Sequence, residues 1–100
     1  MVLLENRQAQ NDTISVSTTS IEIFSATPTR DYFSIYNGTA GEVMTIKLGD
    51  GDAIDNEGVV LSYGQSYGQS DSASFKAWRG RICAISTGAT NVSRQATFME

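Results

Sequence analysis

Apolar residues recur at every second position in short runs along this chain, and no helical stripe of them extends beyond two turns. Successive side chains of a strand point to opposite faces, so strict alternation marks a half-buried β-strand and argues against helix. The clearest stretch runs from Arg30 to Tyr63. In Tyr32–Tyr36, Phe33 and Ile35 oppose Tyr32, Ser34 and Tyr36; in Val43–Leu48, Met44, Ile46 and Leu48 oppose Val43, Thr45 and Lys47. Asn37-Gly38 and Gly41 lie between these runs, and such residues tolerate the positive φ of a tight turn. The pattern predicts a β-hairpin over 32–48, with a third strand at Val59–Tyr63 after an acidic Gly-Asp loop.

The same period recurs outside that stretch. Thr13–Ser20 sets Ile14 and Val16 against Ser15 and Ser17, and 21–24 continues it; Pro28, the only proline, marks a loop over Ser25–Arg30. Ser72–Trp78 alternates Ala73, Phe75 and Ala77 with Ser74, Lys76 and Trp78. Arg81–Ser86 is apolar on both faces, as expected of a central strand covered on two sides, and Val92–Phe98 closes the chain. Seven or eight short strands at this spacing predict an all-β fold, a single antiparallel β-sandwich or small jelly-roll-like barrel. Its expected core includes Ile14, Val16, Phe33, Ile35, Met44, Ile46, Leu48, Leu61, Phe75, Ile82 and Ile85. Residues 1–12 read as an N-terminal arm and 13–100 as the sandwich domain.

A chain of 100 residues is one domain and buries roughly two-thirds of its unfolded surface. An apolar fraction of 40% with abundant Ser and Thr suits a sheet with one wet face. Net charge is −4 and the basic residues are scattered, so there is no basic stripe to neutralise phosphates and nucleic acid is not an expected partner. The chain has no histidine, which removes the usual general base and the commonest metal ligand. Its one cysteine, Cys83, sits in an apolar run and reads as a small buried hydrophobe. Met1-Val2-Leu3-Leu4 is too short for a signal-peptide core or a membrane span, so no membrane association is expected. Three glycosylation sequons, at Asn11, Asn37 and Asn91, read as turns.

Two segments invite a functional reading. Asp50, Asp52, Asp55 and Glu57 fall within eight residues, but their spacing departs from the EF-hand pattern. The segment therefore reads as a solvated inter-strand loop, with a calcium site as the alternative; no cofactor or metal is expected. A tandem Ser-Tyr-Gly-Gln spans 62–69; Tyr63 ends a strand, and Gly64–Ser70 reads as a flexible loop presenting Tyr67 to a partner.

The order of the motifs resembles a recurrent small β-sandwich of tailed-phage virions. Such proteins place an arginine before an L-x-I-x-N strand, then an I-x-I-x-x-G strand, a G-x-x-L-x-x-G segment, a G-x-I-x-A-I-S strand and a terminal V-x-V-x-E strand. The matching positions are Arg30, Phe33, Ile35 and Asn37; Met44, Ile46 and Gly49; Gly58, Leu61 and Gly64; Gly80, Ile82, Ala84, Ile85 and Ser86; and Glu100. The last strand departs, with Ser93-Arg94-Gln95-Ala96 where the family alternates valines, which leaves its pairing open.

The resemblance implies a non-enzymatic virion structural protein, either a capsid decoration (cement) subunit or a head-fibre-base module. The cement form would bind the major capsid protein at the capsid surface as a homo-oligomer, commonly a trimer, after synthesis in the host cytoplasm. Leu3, Leu4, Arg7, Tyr67, Phe98 and Met99 are the expected partner contacts. The alternative is a carbohydrate- or receptor-binding sandwich of a fibre or tail, using Tyr63, Tyr67, Trp78, Asp50 and Asp52. Enzymatic chemistry is not expected, since Asp50 and Asp55 share one wet loop that gives two carboxylates no reason to differ in pKa.

Overall fold

A computed structural model describes residues 8–99. They form eight strands and no helix: β1 (Gln8–Val16), β2 (Ile21–Phe24), β3 (Arg30–Asn37), β4 (Met44–Leu48), β5 (Val59–Leu61), β6 (Ser66–Ser70), β7 (Ile82–Ser86) and β8 (Thr90–Phe98). The first sheet has the order β1-β8-β3-β6 and the second β2-β7-β4-β5, all neighbours antiparallel. Strand 1 pairs with 8, 2 with 7, 3 with 6 and 4 with 5. The chain is thus one long ribbon doubled at the 4–5 connection and wrapped into two layers, the strand order of a jelly roll.

The inward residues of both sheets fill the space between the layers. Phe33, Ile35, Val16, Val92 and Ala96 meet Ile23, Phe24, Met44, Ile46, Leu61, Ile82 and Ala84, all buried. Ile14 and Leu48 pack against this core while partly exposed, and Ile85 is intermediate. Phe75 does not join it: the side chain is 48% exposed.

Several expectations need correction. Runs 32–36 and 43–48 do not form a hairpin, because β3 lies in the first sheet and β4 in the second. Neither Asn37 nor Gly38 takes a positive φ. Instead the buried Asn37 amide donates to the carbonyls of Glu42 (2.9 Å) and Leu61 (3.0 Å), and its Oδ1 accepts from Thr39 N–H (3.0 Å), which steers the link across the sandwich. Residues 66–70 are a strand, with Tyr67 and Gln69 opposite Ile35 and Phe33. Gly68 is required there, since a Cβ would fall against the Phe33 carbonyl oxygen, inside van der Waals contact. Residues 72–78 are a loop, in which Ser72 N–H bonds the Phe75 carbonyl and the Asp71 carboxylate accepts from Ala77 N–H. Side chains that bond nearby backbone compete with ladder pairing, and Ser and Asp are frequent in this segment.

At the N-terminus, β1 begins at Gln8 and pairs residue for residue with β8 up to Val16. Residues 8–12 therefore belong to the sheet and not to an arm, while 1–7 lie outside the described residues. The open question about the last strand is answered by β8 filling the centre of the first sheet between β1 and β3. All three sequon asparagines stand on strands and not at turns: Asn11 on β1, Asn37 at the end of β3 and Asn91 on β8.

Candidate ligand and partner surfaces

The polar residues inside the sandwich act as fasteners at its ends. Arg30 is fully buried at the start of β3. Its three nitrogens donate to the carbonyls of Trp78 (3.3 Å), Ser25 (3.0 Å) and Gly80 (2.6 Å), and its charge lies over the rings of Phe24 and Phe33. Burial, and then the neighbouring Arg79 charge, lower its pKa from the usual arginine value, and arginine remains charged regardless. Phe24 receives a second guanidinium from Arg94, 5.6 Å from its centroid. Arg94 also donates to Asp12 (Nε to Oδ1, 2.6 Å) and to the Ile23 carbonyl, joining β1, β8 and β2. Among the described residues, no buried side-chain nitrogen or oxygen lacks a partner.

Charge is distributed unequally between the two outer faces. On the second sheet, the 49–58 loop is tied to Ser20 and Thr45: Ala53 is buried, its N–H donates to Ser20 Oγ, and Asn56 N–H donates to Thr45 Oγ1. Glu22 pairs with Arg81 beside it at 2.8 Å. The loop is thus anchored to the sheet as well as being an acidic surface. Among the described residues no group of three or more His, Cys, Asp or Glu side chains is placed to hold a metal ion. Cys83 is fully buried, and desolvation raises its thiol pKa.

The outer face of the first sheet is different. Registers place Ala9, Thr97, Tyr32 and Ser70 in one rank across four strands. Asn11, Gln95, Ser34 and Gly68 make the next, and Thr13, Ser93, Tyr36 and Ser66 the third. None of these twelve residues is charged. At the Tyr32 end the face runs into an open recess lined by Asp31, Tyr32, Ser70, Asp71, Thr97 and Met99. Its carboxylates are fixed: Asp31 accepts from Thr97 Oγ1 (2.5 Å), and Asp71 accepts from Ala77 N–H (2.8 Å) and Arg79 (2.6 Å).

Of the expected contact residues that the structure describes, Tyr67 does not join Phe98 and Met99. Leu3, Leu4 and Arg7 lie outside the described residues. Tyr67 points inward, its ring 6.1 Å from Phe33 and its hydroxyl accepting from Gln69 Nε2, so it is not presented on a flexible loop. Phe98 packs partly against the core and shares a depression with Gln8, Thr27, Thr29 and the 43% exposed Met99. The residues weighed for sugar binding also separate: Asp50 and Asp52 are exposed on the loop over the second sheet, and Tyr67 turns into the core. The neutral face carrying Tyr32 and Tyr36 leaves no motif in the sequence, because its residues come from four separate strands. Only the strand registers bring them together.

Fold and surfaces together define a small jelly-roll sandwich with saturated internal polar contacts and two chemically unlike outer faces. No protein-family model matches the chain, and no curated protein matches it significantly.

Proposed function

We propose that this protein is a non-enzymatic structural subunit of a tailed-phage virion, a capsid decoration protein that bridges neighbouring major capsid proteins as a homo-oligomer, in the simplest case a trimer. The observation that carries the reading is β1. Of the four edge strands, β5 has three residues, β2 has four with a register shift, and β6 has five. Short or irregular edges resist unwanted pairing. Strand β1 has nine residues, pairs with β8 without a shift, and carries no lysine, arginine or proline. Its single acid, Asp12, is engaged by Arg94. A long straight edge without these guards is a template for an added strand from a partner chain.

A partner strand on this edge gains main-chain hydrogen bonds, and the rest of the subunit serves as a rigid spacer. Association costs are high enough that a symmetric assembly with repeated contacts is the economical form. The test is to add the purified protein to phage shells lacking their surface subunit. Support is bound protein that raises the temperature at which the shells break. Shells that bind nothing and break at an unchanged temperature contradict the proposal.

A further inference from the structure

We propose that the outer face of the first sheet, from Tyr36 down to the recess beside Tyr32, binds neutral oligosaccharides. The first support is chemical. A sugar offers hydroxyls that both donate and accept, together with apolar C–H surfaces. Ser, Thr, Asn and Gln also donate and accept, and tyrosine adds a ring and a hydroxyl. These types make up nearly the whole face, on a protein of net charge −4 whose other face is rich in acids.

The second support is geometric. Tyr32 and Tyr36 are both on the outward side of β3, four residues apart, hence separated by about 13 Å along the strand. That span exceeds one sugar ring and suits a short oligosaccharide lying along the strand. At its lower end, the partly exposed Asp71 is fixed by Ala77 N–H and Arg79 and keeps further acceptor capacity for a sugar hydroxyl, while Asp31, buried and bonded by Thr97, adds negative charge beneath it. The same carboxylates disfavour acidic sugars. A protein partner fits this face less well, because interface centres are apolar and depleted in Ser and Ala, whereas no aliphatic side chain larger than alanine occurs in the three ranks. The inference does not rest on the virion proposal, and either can fail alone.

The experiment is an amide NMR titration of the full chain with neutral hexasaccharides of α- and β-linked glucose, mannose, galactose and N-acetylglucosamine, and with a hexagalacturonate. The expected result is saturable movement of the Ser34, Gly68 and Ser93 amides with at least one neutral sugar. Tyr36→Ala and Gln95→Lys, both at exposed positions, should each weaken it by about tenfold or more with the rest of the spectrum unchanged. The proposal is overturned if no neutral sugar moves these amides up to about 10 mM, a range that captures millimolar affinity. It is equally overturned if the acidic sugar binds as tightly, if the shifts centre on Tyr63 or Trp78, or if both variants bind like the parent.

Discussion

Arg30 and Asn37 stand at the two ends of β3, both at 0% exposure, and each holds backbone from elsewhere in the sandwich: Arg30 the carbonyls of Ser25, Trp78 and Gly80, Asn37 those of Glu42 and Leu61. One strand thereby fastens loop and strand backbone at both of its own ends. Irregular loops that cannot satisfy their own carbonyls are held by two side chains with several N–H groups each.

Replacing Arg30 should therefore be expensive. Arg30→Met leaves three carbonyls without their donor and should destabilise by about 3–5 kcal/mol in urea unfolding, at roughly 1–3 kcal/mol for each unsatisfied buried group with partial relaxation. Arg30→Lys should recover only part of this, because a single ammonium cannot reproduce the fork. A loss below about 1 kcal/mol for Met would mean the loops find other donors.

Asn37→Asp is nearly isosteric and sets a carboxylate against two carbonyl oxygens. It should cost about 2–4 kcal/mol, from the two lost donations and a buried charge that keeps only the Thr39 N–H as donor. Equal melting temperatures for parent and variant would show that Asn37 does not fasten the crossover.

These two residues also show how far the sequence could be read. Alternation located β3, β4, β7 and the core residues Phe33, Ile35, Met44 and Ile46, since burial imposes period two directly. It failed where other forces decide. Asn37-Gly38 has the composition of a tight turn, but a buried side chain with four hydrogen-bonding sites redirects the chain to the other sheet. Ser72–Trp78 alternates yet lies in a loop, because alternation among Ser, Ala and Lys supplies little apolar area to bury. Gly64–Ser70 looked flexible, yet Tyr67 and Gln69 close the core beneath β3. The neutral face was illegible altogether, being a property of register between distant strands.

Core placement can be checked by contrast. Ile46→Ala should cost about 2–5 kcal/mol, the usual loss for a buried aliphatic, whereas Phe75→Ala should stay within about 0.5 kcal/mol. Similar losses at both positions would contradict the packing described.

The Asp12–Arg94 pair gives a pH dependence. The hydrogen bond from Arg94, foremost, holds the Asp12 pKa below its ordinary 3.8. A group with a depressed folded-state pKa contributes fully above its unfolded value and loses that contribution as pH falls through the folded one. Stability of the parent should thus fall below about pH 4, and that of Asp12→Asn should fall less steeply over the same range. Parallel acid-denaturation curves would remove Asp12 from the account.

The attachment mechanism centres on the outer edge of β1, and equilibrium binding to shells lacking their surface subunit tests it most directly. Thr13→Lys places an exposed charge in the middle of that edge, a substitution that opposes strand addition while leaving the pairing with β8 in place. The account predicts that the variant keeps the parent's unfolding midpoint within about 0.5 kcal/mol and binds shells at least about tenfold more weakly. Shell binding by Thr13→Lys as tight as that of the parent would contradict it.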